Sequence, residues 1–242
     1  ELDLDRDFAS TKFNTQFNYK TGGLGELVAY YGHSNSNNIA VTSAGRNQIK
    51  DWKIDELQLK YIHPRFFLNA YQQWSNTDDT YAMNQRTQNY VSFKNAGFSE
   101  EEARRRSFDE QWFGASPTAG LALKRGSRFK DDSKRFVAEG QYNNTWGGFT
   151  LIGGAQFQRD MAFTKNTYML DFDGPINVNQ FGVYGQAEYK LDGWGFLAAL
   201  RVDNHDYYGA NLLPKAAITK KLGTGMLRFT YGKGMAVPSI MN

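Results

Sequence analysis

Consecutive segments in the last third of the chain alternate apolar and polar residues with a period of two, and this pattern restricts the fold more than any other feature. In NQFGVYGQAEYK, Phe181, Val183, Gly185, Ala187 and Tyr189 fall on one face, with Gln180, Tyr184, Gln186, Glu188 and Lys190 on the other. After LDGW the pattern resumes, with Phe196, Ala198, Leu200 and Val202 opposite Ala199, Arg201 and Asp203. Leu212, Ala216 and Ile218 then oppose Lys215, Ala217 and Thr219; after LGTG, Leu227, Phe229 and Tyr231 oppose Arg228, Thr230 and Gly232. Strands with one apolar and one polar face produce this period. FVAEGQYNNTW and GFTLIGGAQFQRD obey the same rule, and KFNTQFNYK, ELVAYYGHS, DELQLKYI and RFFLNAYQQW extend it upstream. The expectation is about ten strands in five hairpins.

The connections between these strands alternate in length. Tight turns built on Gly, Asp or Pro stand at TGGLG, HPR, WGG, LDGW and LGTG. Long polar stretches separate them, from about Ser34 to Asp51, Ser75 to Lys134, Thr164 to Asn177 and Asn204 to Ala210. Short turns at one end and long loops at the other are the habit of outer-membrane barrels, at the periplasmic and extracellular ends respectively. A mean hydropathy of -0.62 does not oppose this, because strands that face lipid and lumen alternately average out as polar. No apolar run approaches the roughly 18 residues of a membrane helix. The expected fold class is therefore all-β, an antiparallel transmembrane β-barrel in the bacterial outer membrane. Phe181, Val183, Ala187, Leu200, Ile218, Leu227 and Phe229 are expected to face lipid. Glu139, Gln141, Gln156, Gln158, Gln186, Glu188, Arg201, Lys215 and Arg228 are expected to face the lumen, as a structural wall or a substrate path.

Residues 1–242 are thus expected to form one barrel domain whose longest extracellular loop, about 75–134, carries a helix from about Ser99 to Trp112. Ser99 stands three residues before Glu102, a capping box, with acidic residues in the first turn. The run Arg104, Arg105 and Arg106 reads as a solvated helix face. A loop this long is usually functional, and Tyr81, Tyr90, Trp112, Tyr168, Tyr207 and Tyr208 are candidate extracellular ligand contacts, since aromatic rings stack on sugars, chelate rings and peptide side chains alike. Backbone groups inside a bilayer must be paired, so ten strands either close on themselves or join others. The final YGKGMAVPSIMN leaves its strand through a Pro-containing segment with no partner strand after it. The expectation is an open, curved wall that belongs to a larger barrel.

Chemical signatures are sparse. The chain has no Cys, which removes disulfides, thiolate metal sites and cysteine nucleophiles. A net charge of +3 with interspersed signs does not argue for nucleic acid. GxSxG, HExxH, a Walker loop and a dinucleotide fingerprint are all missing, so no cofactor is expected. Asp3, Asp5 and Asp7 fail as a calcium loop, because Phe8 replaces the required Gly and Asn14 the required Glu. His33, His63 and His205 show no metal-ligand spacing, and His63 belongs to a tight turn. His205, beside Asp203 and Asp206, carries the enzymatic alternative: a complete ten-stranded, protease-like barrel in which these residues activate water. A structural barrel of an envelope complex is the third alternative.

LLPKAAITKKLGTGMLRFTYGKGMAVPSIMN resembles the mid-barrel hairpin of TonB-dependent receptors. QIKDWKIDELQLKYIHPRFFLNAYQQWSNTDD, GSRFKDDSKRFVAEGQYN and DGPINVNQFGVYGQAEYKL are similar to the Bacteroidetes branch of that family, in family order along the chain. The resemblance implies a barrel of about 22 strands around an N-terminal plug, of which this chain would hold neither the plug nor the C-terminal strands. It implies a non-enzymatic receptor that imports a scarce ligand, such as an iron chelate, a cobalamin-like molecule, a peptide or a glycan. The implied partners are outer-membrane lipid, a TonB-type energy coupler acting through the plug region, and a surface lipoprotein or envelope complex.

Overall fold

The computed structural model describes residues 2, 4–42 and 45–236. Ten strands form a single antiparallel sheet in chain order: β1 (Ala9–Lys20), β2 (Glu26–Thr42), β3 (Gly45–Ile62), β4 (Phe66–Ala82), β7 (Arg128–Trp146), β8 (Phe149–Ala162), β9 (Ile176–Leu191), β10 (Trp194–His205), β11 (Gly209–Leu222) and β12 (Gly225–Gly232). Between β4 and β7 lies a cap made of α1 (Met83–Asn95), α2 (Glu100–Arg106) and a small hairpin, β5 (Gln111–Ser116) with β6 (Ala119–Leu123). The all-β antiparallel architecture matches the expectation. Within the described residues β1 and β12 are the two edges of the sheet and do not pair with each other.

The register carries one apolar face across the whole sheet. Residues directly opposite in antiparallel strands share a face, and Ala155 pairs Val183, Val183 pairs Val202, and Val202 pairs Leu212. On that face Leu200 is 47% exposed and Phe229 67%. Along β8 it reads Phe149, Leu151, Gly153, Ala155 and Phe157 before Arg159, the roughly 9 residues that a tilted strand needs to cross a hydrocarbon layer. Tyr19, Tyr61, Phe66, Trp146, Phe149, Tyr189 and Trp194 gather at the short-turn end, as an interfacial aromatic girdle does.

All the tight turns fall where expected. In the LDGW turn, Asp192 (φ 48°) and Gly193 (φ 77°) both adopt positive φ, the requirement of a two-residue type I′ hairpin. The long stretches depart from expectation. Strands β2 and β3 continue to Thr42 and Gly45 through the segment read as a loop from Ser34 to Asp51. Likewise β10 and β11 leave only residues 206–208 between them. Beyond the apolar band both faces of a strand are polar, so the period-two signal vanishes although backbone pairing continues.

The loop expected from Ser75 to Lys134 shrinks for the same reason, since β4 runs on to Ala82 and β7 starts at Arg128. A bulge between Thr77 and Thr80 interrupts their pairing. The two hydroxyls replace the missing ladder bonds toward β3: Thr77 Oγ1 donates to Lys50 O at 2.8 Å, and Thr80 Oγ1 accepts from Lys50 N–H at 3.1 Å.

The cap differs most from expectation. The helix starting after Ser99 ends at Arg106, and Gln111 already begins β5. Ser99 does cap it, accepting from Glu102 N–H at 3.2 Å. Helix α1 leaves no apolar stripe in the sequence, because two of the four side chains it buries, Met83, Arg86, Asn89 and Phe93, are polar. Asn89 is fully buried and donates to Ser107 O and Arg125 O at 3.0 and 2.9 Å. Arg104 and Arg105 pair with Glu100 and Glu102 on the surface. Arg106 pairs with Glu110 and also packs its guanidinium over Phe93, Phe98 and Trp112 at 4.8–5.6 Å, so the basic run is only partly a solvated face.

Candidate functional site: a polar belt and a recess at the long-connection end

The nine residues expected to face the lumen share the face opposite the apolar one. Gln141 pairs Gly154, Gly154 pairs Tyr184, and Tyr184 pairs Arg201, so all four project from the same side. Glycines make this face continuous. A Cβ on Gly154 would sit 2.5 Å from the Tyr184 ring and 2.7 Å from Gly140 O. Because Gly154 carries none, Tyr184 lies across β8, and its hydroxyl donates to Gln141 Oε1 at 3.0 Å on β7. Arg201 similarly crosses Gly182 to donate to Gln156 Oε1 at 3.1 Å, while pairing with Asp203 at 2.7 Å. Gln186 donates to Glu188 at 2.8 Å and Gln158 to Asp160 at 2.8 Å. Lys215 on β11 and Arg228 on β12 extend the face, with Arg228 Nε donating to Thr230 Oγ1 at 3.1 Å. The result is a hydrogen-bonded polar belt spanning four strands.

Gly154→Ala should therefore disturb the belt directly. A rigid ring and a backbone carbonyl both stand inside contact distance, so overpacking should cost about 1–3 kcal/mol. Unfolding midpoints of the variant and parent in lipid vesicles measure this; equal midpoints would show that Tyr184 relocates freely.

Toward the long-connection end the same face opens into a recess of about 740 Å³. Gln73, Arg135, Gln158, Asp160, Gln180 and Tyr208 line it. Arg135 and Asp160 neutralise each other in a two-point contact of 2.5 and 3.2 Å. The rest of the lining is mixed: amides, hydroxyls and phenols, the cation Lys134, His205, and the apolar Met161, Met169, Ile176 and Val178. Tyr207 and Tyr208 stand exposed at the rim, with Tyr208 against the His205 ring at 4.9 Å.

The connection 163–175 reaches the recess through Met169. Asp171, 2% exposed, accepts backbone N–H bonds from Thr164 and from Asn166, the latter at 2.5 Å. Burial raises the Asp171 pKa, but these donors outweigh it and hold the carboxyl below its usual range. Lys165 pairs with Asp78 at 2.9 Å and Thr167 Oγ1 accepts from Lys130 N–H at 3.0 Å, which fastens the connection to the ends of β4 and β7. Asp171→Ala should strand the buried Thr164 N–H at about 1–3 kcal/mol and release the N–H of the exposed Asn166, read as reduced hydrogen-exchange protection at Thr164 and Asn166. A carboxyl with a lowered folded pKa stabilises above its unfolded pKa, so the latch is complete above pH 3.8 and weakens only as pH falls below it. Protection that declines already between pH 7 and pH 5 would contradict this.

Several of the expected ligand-binding aromatics have other roles. Tyr81 is 3% exposed, edge-on to Phe108 at 5.3 Å, and Trp112 belongs to the aromatic core of the cap. Tyr90 lies under Arg104 at 5.8 Å. Tyr168 leans on Phe129 at 5.6 Å, and burial of its hydroxyl, with Asp131 and Asp171 nearby, raises its pKa to about 12. It stays protonated, a neutral donor. Of the six, Tyr207 and Tyr208 meet the recess.

The three groups of the enzymatic alternative are engaged separately. Asp203 binds Arg201, Asp206 accepts from Asn179 N–H and Nδ2 at 2.7 and 3.0 Å, and His205 Nδ1 accepts from Tyr207 N–H at 3.2 Å. His63 closes its turn, with Nδ1 accepting from Arg65 N–H at 3.1 Å. The described residues contain no group of three potential metal ligands; Asp3 and residues 237–242, which include the Pro-containing end of the chain, lie outside them. Sequence reasoning missed the Tyr31–Asp55–His33 cluster, where Asp55 Oδ1 meets Tyr31 Oη at 2.6 Å and His33 Nδ1 at 2.8 Å. Its members come from two strands, and only the register brings them together.

The architecture is shared with solved receptors. The chain superposes on the siderophore receptor PirA from Pseudomonas aeruginosa with a TM-score of 0.61 at 11% identity, covering 96% of this chain and 34% of that one. The ferric enterobactin receptor PfeA from the same organism, in complex with BCV-L6, gives 0.60 at 13% identity, over 95% and 34%. A PfeA point mutant in complex with enterobactin gives 0.58 at 13%, again over 95% and 34%. This chain thus spans about a third of the length of those structures, and likeness at such identity speaks for the fold alone. No curated protein matches. The family model described as "TonB dependent receptor-like, beta-barrel" matches residues 2–242, and with an antiparallel sheet of lipid-crossing length beneath that match, the chain belongs to the TonB-dependent receptor β-barrel family of the outer membrane.

Proposed function

We propose that this chain builds part of the wall of an active transporter, of the Bacteroidetes branch, that takes up a scarce ligand across the outer membrane. The recess carries the reading: it lies on the polar face, at the long-connection end, directly above the belt. In this reading that end is extracellular, the belt lines the lumen and holds a plug, and the capped connection helps to capture the ligand or docks a surface lipoprotein. Energy reaches the plug from a TonB-type coupler. Open edges at β1 and β12 support a larger barrel, because unpaired strand edges are not tolerated in hydrocarbon. The ligand classes that suit a polar, tyrosine-rimmed recess are an iron chelate, a cobalamin-like molecule, a peptide or a glycan.

The test uses cells making the full-length receptor, offered one radiolabelled representative of each class with and without a protonophore. The expected result is accumulation of one representative that the protonophore abolishes and that Q158A/Y208A lowers by about tenfold, the effect of losing roughly 1.4 kcal/mol of binding energy. Accumulation that persists without the proton gradient, or that ignores both substitutions, contradicts the proposal.

A further inference from the structure

Where the apolar face ends on β7 and β8, two cations emerge from it. Lys134 stands opposite Trp74 and Met161, at the strand ends where Lys134 and Met161 also border the recess, and Arg159 stands opposite Phe136. The two are diagonal neighbours on adjacent strands, about 7–8 Å apart at the backbone, close enough for their long side chains to converge on one anion. Directly below them Phe136 and Phe157 pack with ring centroids 6.4 Å apart.

Neither cation is neutralised. Among the described residues Lys134 has no ion-pair partner, and Arg159 donates only to the uncharged Asn177 Oδ1, at 3.0 Å. Elsewhere on this face Lys53 is occupied by Asp51 at 2.8 Å and Lys220 by the Trp194 ring at 4.5 Å. Asp55, the nearest acid toward β3, is taken by Tyr31 and His33. Asp132 stands two residues along the strand, with Lys130 beyond it, so the local balance stays positive.

We infer that Lys134 and Arg159 form a headgroup site for a phosphate-bearing lipid, whose acyl chains lie on the Phe136–Phe157 step. Two unpaired cations at the upper border of a lipid-facing apolar band match the layout of an anionic lipid: charge at the level of the headgroups, hydrocarbon beneath. Arg presents a planar fork of donors to phosphate oxygens, and Lys adds a mobile point charge. The inference rests on the apolar face being lipid-facing.

The test is native mass spectrometry of the full-length receptor in detergent, titrated separately with bisphosphorylated lipid A and with phosphatidylethanolamine. K134Q/R159Q should retain lipid A on the order of thirtyfold less, the effect of two basic side chains at an anionic surface, with phosphatidylethanolamine unchanged. K134R/R159K should retain it as the parent does. K190Q/K221Q, which removes the same charge at the short-turn end, should also leave retention intact. Unchanged retention in K134Q/R159Q, or equal loss in both glutamine pairs, overturns the site. Heat-modifiable electrophoretic mobility of each variant certifies a folded barrel; a parent that needs no detergent and binds neither lipid would instead overturn the lipid-facing reading beneath it.

Discussion

Leu200→Arg is expected to destabilise the barrel by about 2–4 kcal/mol, the cost of a guanidinium near the middle of a lipid-facing strand. Leu200 pairs with Gly185 on one side and Pro214 on the other. Neither neighbour offers a side chain that could hydrogen-bond the new group, and Arg201, already committed to Asp203 and Gln156, points from the other face. An arginine at 200 could only snorkel along the strand toward a headgroup layer several residues away. Equilibrium unfolding from lipid vesicles in denaturant measures the loss. A change below about 0.5 kcal/mol, usual for a water-exposed surface site, would show that this face does not meet hydrocarbon.

Removal of the cap should give the opposite result, intact assembly with abolished ligand capture. Ala82 N–H donates to Ser127 O at 2.8 Å, so the ends of the excursion are already adjacent and a short Gly-containing turn can replace residues 83–126. Closing so short a loop costs no more entropy than closing the long one. The interactions that disappear with it are mainly internal to the cap: the Phe93, Phe98, Trp112 and Arg106 cluster and the Asn89 hydrogen bonds. Heat-modifiable mobility should match the parent while ligand accumulation falls to background. Failed assembly would make the cap a structural element, and unchanged accumulation would leave it outside ligand capture.

Why the sheet was legible and the cap was not follows from what each buries. In β7 through β12 one face meets an apolar medium, and selection for that medium writes period two into the residues themselves, from Phe136 to Tyr231. Turn chemistry then fixes the hairpins, as at Asp192 and Gly193. Beyond the apolar band, in residues 34–54 and 75–82, strands persist on backbone bonds and on polar side-chain contacts such as Asn35 to Asp51 at 2.7 Å, so their composition reads as loop. Helix α1 hides because Arg86 is buried under Phe108 at 3.8 Å and Asn89 by hydrogen bonds. In both cases polar residues hold positions where helical or strand periodicity calls for apolar ones. The belt residues were individually legible from alternation. Their connections across Gly154 and Gly182 were not, because they depend on register between strands.

The central claim, that one face of this sheet meets lipid and the other an aqueous lumen, is tested most directly at two consecutive residues. Phe157 pairs with Phe181 on the apolar face, and Gln158 pairs with Gln180 in the recess. The chain contains no Cys, so Phe157→Cys and Gln158→Cys each introduce a single thiol into it. In the full-length receptor in intact cells, a membrane-impermeant maleimide should label Cys at 158 and leave Cys at 157 unmodified, whereas a lipid-soluble maleimide should reach 157. Equal labelling of both positions by the impermeant reagent, or labelling of 157 alone, would contradict the account.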